Sequence, residues 1–394
     1  MTGQLLFRSF WIGGFESACH MNRARCRLNM AEATHHDRHA DLDYRLMASA
    51  GIRTAREAVP WYQVDRGARY DFSSIVPMLD AAGRNGIQIL WTLCHWGWPD
   101  ELDPLSPAFV GRMARYARAS AEFIGRHSDG PHWFTPVNEI SFAAWAAGDV
   151  AYMHPYLQGA SDAVKRQLVS AAIASMDEIW TVLPSARMLH TDPIIQVVTP
   201  RGRPDLAREA HDYTSAQYAA WDMLAGGLAP ELGGHPRYLD VIAANFYASN
   251  QWEIHGPVLH WDDGPRDERW VPLHEQLVRL HRRYGRPVMI GETSHVGIGR
   301  APWLREVTGE ALRALELGVR LEGVCLYPLV DRPDWENGEH WHRSGLWDVV
   351  PSSRGDLHRI PCELYLDELR HSIERVARVR PEAAPWEPAG AGAG

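Results

Sequence analysis

Thr135-Pro136-Val137-Asn138-Glu139 and Pro287-Val288-Met289-Ile290-Gly291-Glu292-Thr293 are two apolar, strand-like runs that each stop on a glutamate. A strand that ends on a carboxylic acid presents it at the rim of a sheet or barrel, where barrel folds bind their substrates. Two such acids on different strands are what cleavage of a glycosidic bond needs: one donates a proton, the other is nucleophile or base. Either glutamate alone also reads as a surface residue that happens to end a strand. The pair and its surroundings separate the two readings.

Around these runs the chain alternates apolar strand-like stretches with amphipathic helical ones, the pattern of a parallel α/β architecture. Strands are predicted at residues 11–15, 54–58, 87–93, 133–137, 188–191, 241–246, 288–291 and 323–327, and helices at 109–126, 164–183, 215–224, 273–284 and 304–317. Eight strands with intervening helices predict a single (β/α)8 TIM barrel with loop insertions, spanning residues 1–380. Residues 381–394, rich in Pro, Ala and Gly, are expected to form a disordered tail. The longest irregular insertion, residues 250–272, follows the sixth strand and is expected to wall the cleft. A doubly wound sheet is the competing architecture, but no G-x-G-x-x-G follows a strand and opens a helix.

Composition narrows the function further. A formal charge of -9 without any basic run argues against nucleic acid as a partner. No apolar stretch approaches the ~18 residues of a membrane span, and the start lacks the form of a secretory signal, so a cytoplasmic location is expected. Five cysteines, an odd count with no CxxC spacing, speak against a disulfide framework or zinc finger. Lys165 is the only lysine and reads as part of a helix surface, so Schiff-base chemistry is disfavoured. Seventeen tryptophans suit sugar-ring faces and a large core equally.

The surroundings of the two glutamates match a known pattern. The chain resembles glycoside hydrolase family 1, the β-glucosidase and β-galactosidase type of clan A, from Trp11 to about Val349. Residues 135–139 resemble its T-F-N-E-P motif, with Ile140 in place of proline, and residues 290–293 resemble I-T-E-N-G. Residues 92–99 (TLCHWGWP) are similar to T-L-x-H-W-x-x-P, Arg56 with Trp61 to R-F-S-I-S-W, residues 245–249 (NFYAS) to N-Y-Y-x-S, and residues 327–335 (YPLVDRPDW) to W-S-L-L-D-N-F-E-W.

The resemblance implies a retaining β-glycoside hydrolase of the exo-acting kind, without metal or cofactor, whose partner is a small glycoside or oligosaccharide. Glu139 would be the acid/base and Glu292 the nucleophile, with Arg56 and Tyr247 beside Glu292. Asn138 would bond the sugar 2-hydroxyl. His95, Trp96, Asn245 and Trp335 would complete the glycone site. His20, Asp334 and Tyr327 stand where the family has glutamine, glutamate and tryptophan, so the glycone is expected to differ from standard glucose. Other readings of single residues stay open: His95 as a packed histidine, Arg56 as the buried partner of any strand-end acid, Tyr247 and Trp335 as rim or core aromatics.

Three alternatives use the same features. A transglycosidase would pass the same glycosyl intermediate to another acceptor. A metal-dependent barrel enzyme would use some of the histidines at 35, 36, 39, 340 and 342, although no H-E-x-x-H is present. A carbohydrate-binding protein on an inactive barrel would need no acid pair. Oligomeric state is not encoded in any feature above.

Overall fold

The computed structural model describes residues 4–261 and 265–384. Eight parallel strands follow one another around a closed barrel: β1 (Trp11–Gly14), β2 (Thr54–Ala58), β3 (Gln88–Thr92), β4 (Trp133–Thr135), β5 (Arg187–Pro193), β6 (Val241–Asn245), β7 (Val288–Thr293) and β8 (Leu321–Leu326). β8 closes onto β1 through Trp11↔Val324, Ile12↔Cys325 and Gly13↔Leu326. The fold is a (β/α)8 TIM barrel, and every predicted strand coincides with a barrel strand.

Barrel strands are covered on both faces, so they read as nearly unbroken apolar runs. The inner face carries Ile12, Leu90, Trp133, Leu189, Val241, Ala243, Met289 and Cys325. Phe7 plugs its lower end, its ring meeting Trp133 edge-on at 4.9 Å. Alternate residues such as Phe134, Met188, Ile242, Ile290 and Val324 face the surrounding helices. Truncating a side chain of the inner layer, such as Trp133, would cost about 3–5 kcal/mol because the closed wall cannot collapse into the space.

The helices Ala108–His127, Ser161–Val182, Leu273–Tyr284 and Arg300–Glu316 stand where periodicity predicts them. The predicted helix 215–224 is a short 3-10 turn, Ala216–Tyr218, followed by Ala219–Ala225. Helices His36–Ser49, Val76–Asn85, Ile140–Gly148 and Glu363–Val379 were not predicted, nor was the antiparallel ribbon Trp347–Pro351 with Leu357–Pro361. The 250–272 insertion begins with Gln251–Glu253, which pairs in parallel with Gln196–Val198; residues 262–264 lie outside the described residues. Of the expected tail, Pro381–Ala383 form a 3-10 turn with Ala383 buried, and residues 385–394 lie outside the described residues. Among the described residues no helix is long and apolar enough to cross a membrane.

Candidate active site

Strand ends β4 and β7 bring Glu139 and Glu292 to one cavity of about 500 Å³. Glu292 gets there through an irregularity. Met289 faces the barrel interior and Ile290 faces outward, so strict alternation would send Glu292 outward as well. The register slips instead: Ala244 pairs with Ile290 but Asn245 with Glu292, and on the other side Val324 pairs with Ile290 but Leu326 with Thr293. Gly291 is the extra residue, and such bulges re-aim a side chain. A Cβ on Gly291 would lie 2.5 Å from Asn245 Oδ1 and 2.8 Å from Ala243 Cβ, so only glycine fits there.

Glu139 is held by its backbone. Its φ of 45° is in the left-handed region, which costs about 1–3 kcal/mol in a residue with a side chain and persists only where neighbours enforce it. Here Glu139 N–H donates to the Thr191 carbonyl at 3.0 Å, Asn138 N–H to the Cys94 carbonyl at 2.9 Å, and the helix Ile140–Gly148 starts at once. Trp96, with φ 65°, is locked similarly, its indole N–H donating to the Asn138 carbonyl at 2.7 Å.

Behind the two acids lies a shared set of donors. Arg56 Nη1 donates to Glu292 Oε1 at 2.5 Å, and Tyr247 OH to Glu292 Oε2 at 2.9 Å. Arg56 Nη2 donates to Asn138 Oδ1 at 2.5 Å, which also accepts from Thr191 Oγ1 at 2.7 Å. Asn245 Nδ2 donates to Glu139 Oε1 at 2.8 Å. Arg56, Asn138 and Asn245 are buried, and none of them lines the cavity.

The environment treats the two acids differently. Burial, then the charge of Glu292, holds the Glu139 carboxyl well above the usual carboxylate range, and the Asn245 bond only partly opposes this. Burial, then the Glu292 charge, keeps the Tyr247 phenol protonated, so it remains a donor. His95 is kept neutral by burial and by Arg56, and its ring sits between Ser17 Oγ at 3.0 Å and Asn138 Nδ2 at 3.1 Å.

Of the other predicted site residues, His95, Trp96, Tyr247, Tyr327 and Trp335 line the cavity together with both glutamates. His20 does not. It is 1% exposed, edge-on to Trp335 at 5.0 Å and Trp96 at 5.8 Å, with neither ring nitrogen bonded. Burial, then Arg27, pushes its pKa down to about 3. Asp334 does not line the cavity either. Its short side chain folds back on its own loop, Oδ1 accepting from Glu336 and Asn337 N–H at 2.9 and 3.0 Å and Oδ2 facing His342 Nε2 at 3.0 Å. Among the described residues of the 250–272 insertion, only Asn250 reaches the cavity.

Sequence reading missed Glu16 and Arg332. Glu16 Oε1 accepts from Ser17 and Ala18 N–H, both at 3.1 Å, and from Tyr327 OH at 3.3 Å, while Oε2 pairs with Arg332 Nε at 2.9 Å. Both line the cavity. The signal was present: Glu16 ends the first strand run just as Glu139 and Glu292 end theirs. As for a metal, His35, His39 and Asp356 bring ligand atoms within 4.8 Å of one another, but none of the three lines the cavity.

No family model matches the chain, and no curated protein matches it. Solved structures do share its fold. The β-glucosidase from Thermotoga maritima in complex with glucoimidazole superposes with a TM-score of 0.74 at 14% identity, over 97% of this chain and 99% of that one. The same organism's β-glucosidase in complex with deoxynojirimycin gives 0.73 at 15%, over 97% and 99%. Its family 1 β-glucosidase gives 0.72 at 14%, over 95% and 98%. The chain therefore has a glycoside hydrolase-type barrel fold; at these identities the fold is what is shared.

Proposed function

We propose that the protein is a retaining β-glycoside hydrolase, with Glu139 as acid/base and Glu292 as nucleophile. The observation that carries this reading is the contrast between the two acids. One is kept protonated by burial, and the other is fixed between a guanidinium and a phenol. Glu292 attacks the anomeric carbon while Glu139 gives its proton to the glycosidic oxygen, and the aglycone leaves as an alcohol. Glu139, now a carboxylate, takes a proton from water as that water attacks the anomeric carbon, breaking the ester to Glu292 and freeing the sugar. The likeness in fold to β-glucosidases crystallised with sugar-like inhibitors supports the substrate class.

The glycone differs from glucose held in the standard way. Asp334 is spent on its own loop, His20 is sealed behind Trp96 and Trp335, and a Glu16–Arg332 ion pair faces the cavity. The experiment is hydrolysis of aryl glycosides covering hexoses, pentoses, furanoses and both anomers, by wild type and Glu292→Ala. Turnover of a β-glycoside that the variant loses is the expected result. Cleavage of α-glycosides only, or undiminished turnover by the variant, would sink the reading.

A further inference from the structure

The helix Ile140–Gly148 begins on Glu139, whose carbonyl accepts its first bond, from Ala143 N–H at 2.8 Å. A residue in that place ordinarily turns a side-chain oxygen onto the N–H two or three positions on, answering a donor that the helix leaves free. Glu139 makes no such bond to Ser141 or Phe142. Its backbone is left-handed, and its carboxyl is turned to the cavity and to the Asn245 amide. The start of the helix is nonetheless a competing seat for that carboxyl, because free N–H groups and the positive end of the helix dipole both attract an anion.

Asp192 of β5 takes the seat instead. Ser141 N–H donates to its Oδ1 at 3.0 Å and to its Oδ2 at 3.3 Å, and Ser141 Oγ donates to Oδ2 at 2.7 Å. Phe142 N–H is also drawn to this carboxyl. Ser141 and Phe142 are the second and third residues of the helix, the two whose N–H groups a cap normally takes. Asp192 is 1% exposed, so water does not compete for these bonds. The residue before it works on the same segment. The Thr191 carbonyl accepts from Glu139 N–H at 3.0 Å, and the Thr191 hydroxyl donates to Asn138 at 2.7 Å. One strand end therefore holds Asn138, Glu139 and Ser141 together.

A helix that needed only stability could take its cap from residue 139 itself. Here the cap comes from another strand, and the side chain of residue 139 is left for the cavity. We infer that Asp192 is a positioning residue for the acid/base: by capping the helix in place of Glu139, it keeps the Glu139 carboxyl in the cavity. The inference rests on the reading of Glu139 as that acid.

The test compares Asp192→Ala and Asp192→Asn with the wild type, on the glycone returned by the aryl panel. An alkyl glycoside, whose departure needs a proton, is set against a dinitrophenyl glycoside, whose departure needs none. In Asp192→Ala, kcat/KM for the alkyl glycoside should fall about 10²-fold, as a misplacement of roughly 1 Å can cause, while the dinitrophenyl glycoside is cleaved nearly as before. Asp192→Asn keeps an acceptor for Ser141 N–H and should restore most of the alkyl activity. Asp192→Val, which fills the space without an acceptor, serves the same comparison should the alanine variant not fold. Equal losses on both substrates would mark Asp192 as a packing residue, and an unchanged alkyl rate would deny it any part. Either result overturns the inference and leaves the glycosidase standing. A crystal structure of the alanine or valine variant answers without turnover: the Glu139 carboxyl is expected on Ser141 N–H, out of the cavity, and a Glu139 still in place would overturn the inference. A wild type silent toward every glycoside, with Glu139 displaced in the variant, would sink the glycosidase reading and leave the positioning of Glu139 by Asp192 intact.

Discussion

Glu139 and Glu292 differ in what touches them more than in how deeply they are buried. Both are under a tenth exposed, yet Glu292 receives a guanidinium and a phenol, whereas Glu139 receives one amide and the field of its neighbour. A raised pKa keeps Glu139 protonated toward neutral pH, so on the reading of Glu139 as the acid kcat/KM should fall on the alkaline side as that proton is lost. In Glu139→Gln, cleavage of glycosides with poor leaving groups should drop by about 10²–10⁴-fold, the usual worth of a positioned acid. Activated aryl glycosides, which need no proton, should be cleaved with the alkaline limb gone. An unchanged limb in a pH–rate profile would assign the proton elsewhere. The acids themselves could be read from sequence because each closes an apolar run. The contacts that distinguish them could not. Asn245 was read as part of the glycone site; its side chain reaches Glu139 from β6, two strands away from β4 around the barrel, a contact that no local pattern encodes.

The strand β7 shows where periodic reading stops. An alternation of inner and outer faces locates the strand and its end, but it would place Glu292 beside Ile290 on the helix side. Only the extra residue at Gly291 turns it inward, and a bulge is set by the registers of both neighbouring strands. The helices His36–Ser49 and Glu363–Val379 went unread for a related reason: their buried faces carry charges, Asp43 and Glu368, that pair only in the fold. Gly291→Ala probes the bulge directly, since the new methyl would press on Asn245 and on Ala243. We expect a loss of stability of about 1–3 kcal/mol, typical of overpacking. Activity should fall further than that suggests, because Glu292 and the Asn245 contact to Glu139 are displaced together. Wild-type kcat/KM in a variant whose melting point has dropped would show that the bulge serves packing alone.

The two ends of the chain meet in a buried ion network that ties the barrel to its outer layer. Glu57 of β2, one residue after Arg56, points outward and accepts from His36 Nε2 at 2.9 Å and Tyr44 OH at 2.8 Å. His36 Nδ1 donates to Asp43 at 2.8 Å, and Arg359 of the C-terminal ribbon grips the same Asp43 with two bonds of 2.8 and 2.9 Å. Two cations and two anions balance, none of them more than 1% exposed at the side chain. In the sequence, His36 is one of several histidines in a polar run, and nothing local says that it is buried. Burial alone would lower its pKa, but Glu57 and Asp43 overcome that and hold it up to about 9. A folded pKa above the unfolded 6.5 means the stabilisation is complete below pH 6.5 and fades as pH rises through 9. Integrated over that interval it amounts to about 3 kcal/mol, or on the order of 4 °C in melting temperature for a chain of this size. The buried thiols of Cys19, Cys94 and Cys325, each pushed up to about 12 by burial, bring their own losses only from about pH 9, where unfolded thiols ionise. Between pH 6.5 and 8.5 the buried carboxyls of Glu139 and Asp192, the latter held up to about 7 by burial, also lose stability as pH rises, so His36 is read from the difference between two proteins. Melting temperature should fall more steeply across this window in the wild type than in His36→Gln. Equal slopes in the two proteins would mean that His36 is not held charged by Glu57 and Asp43.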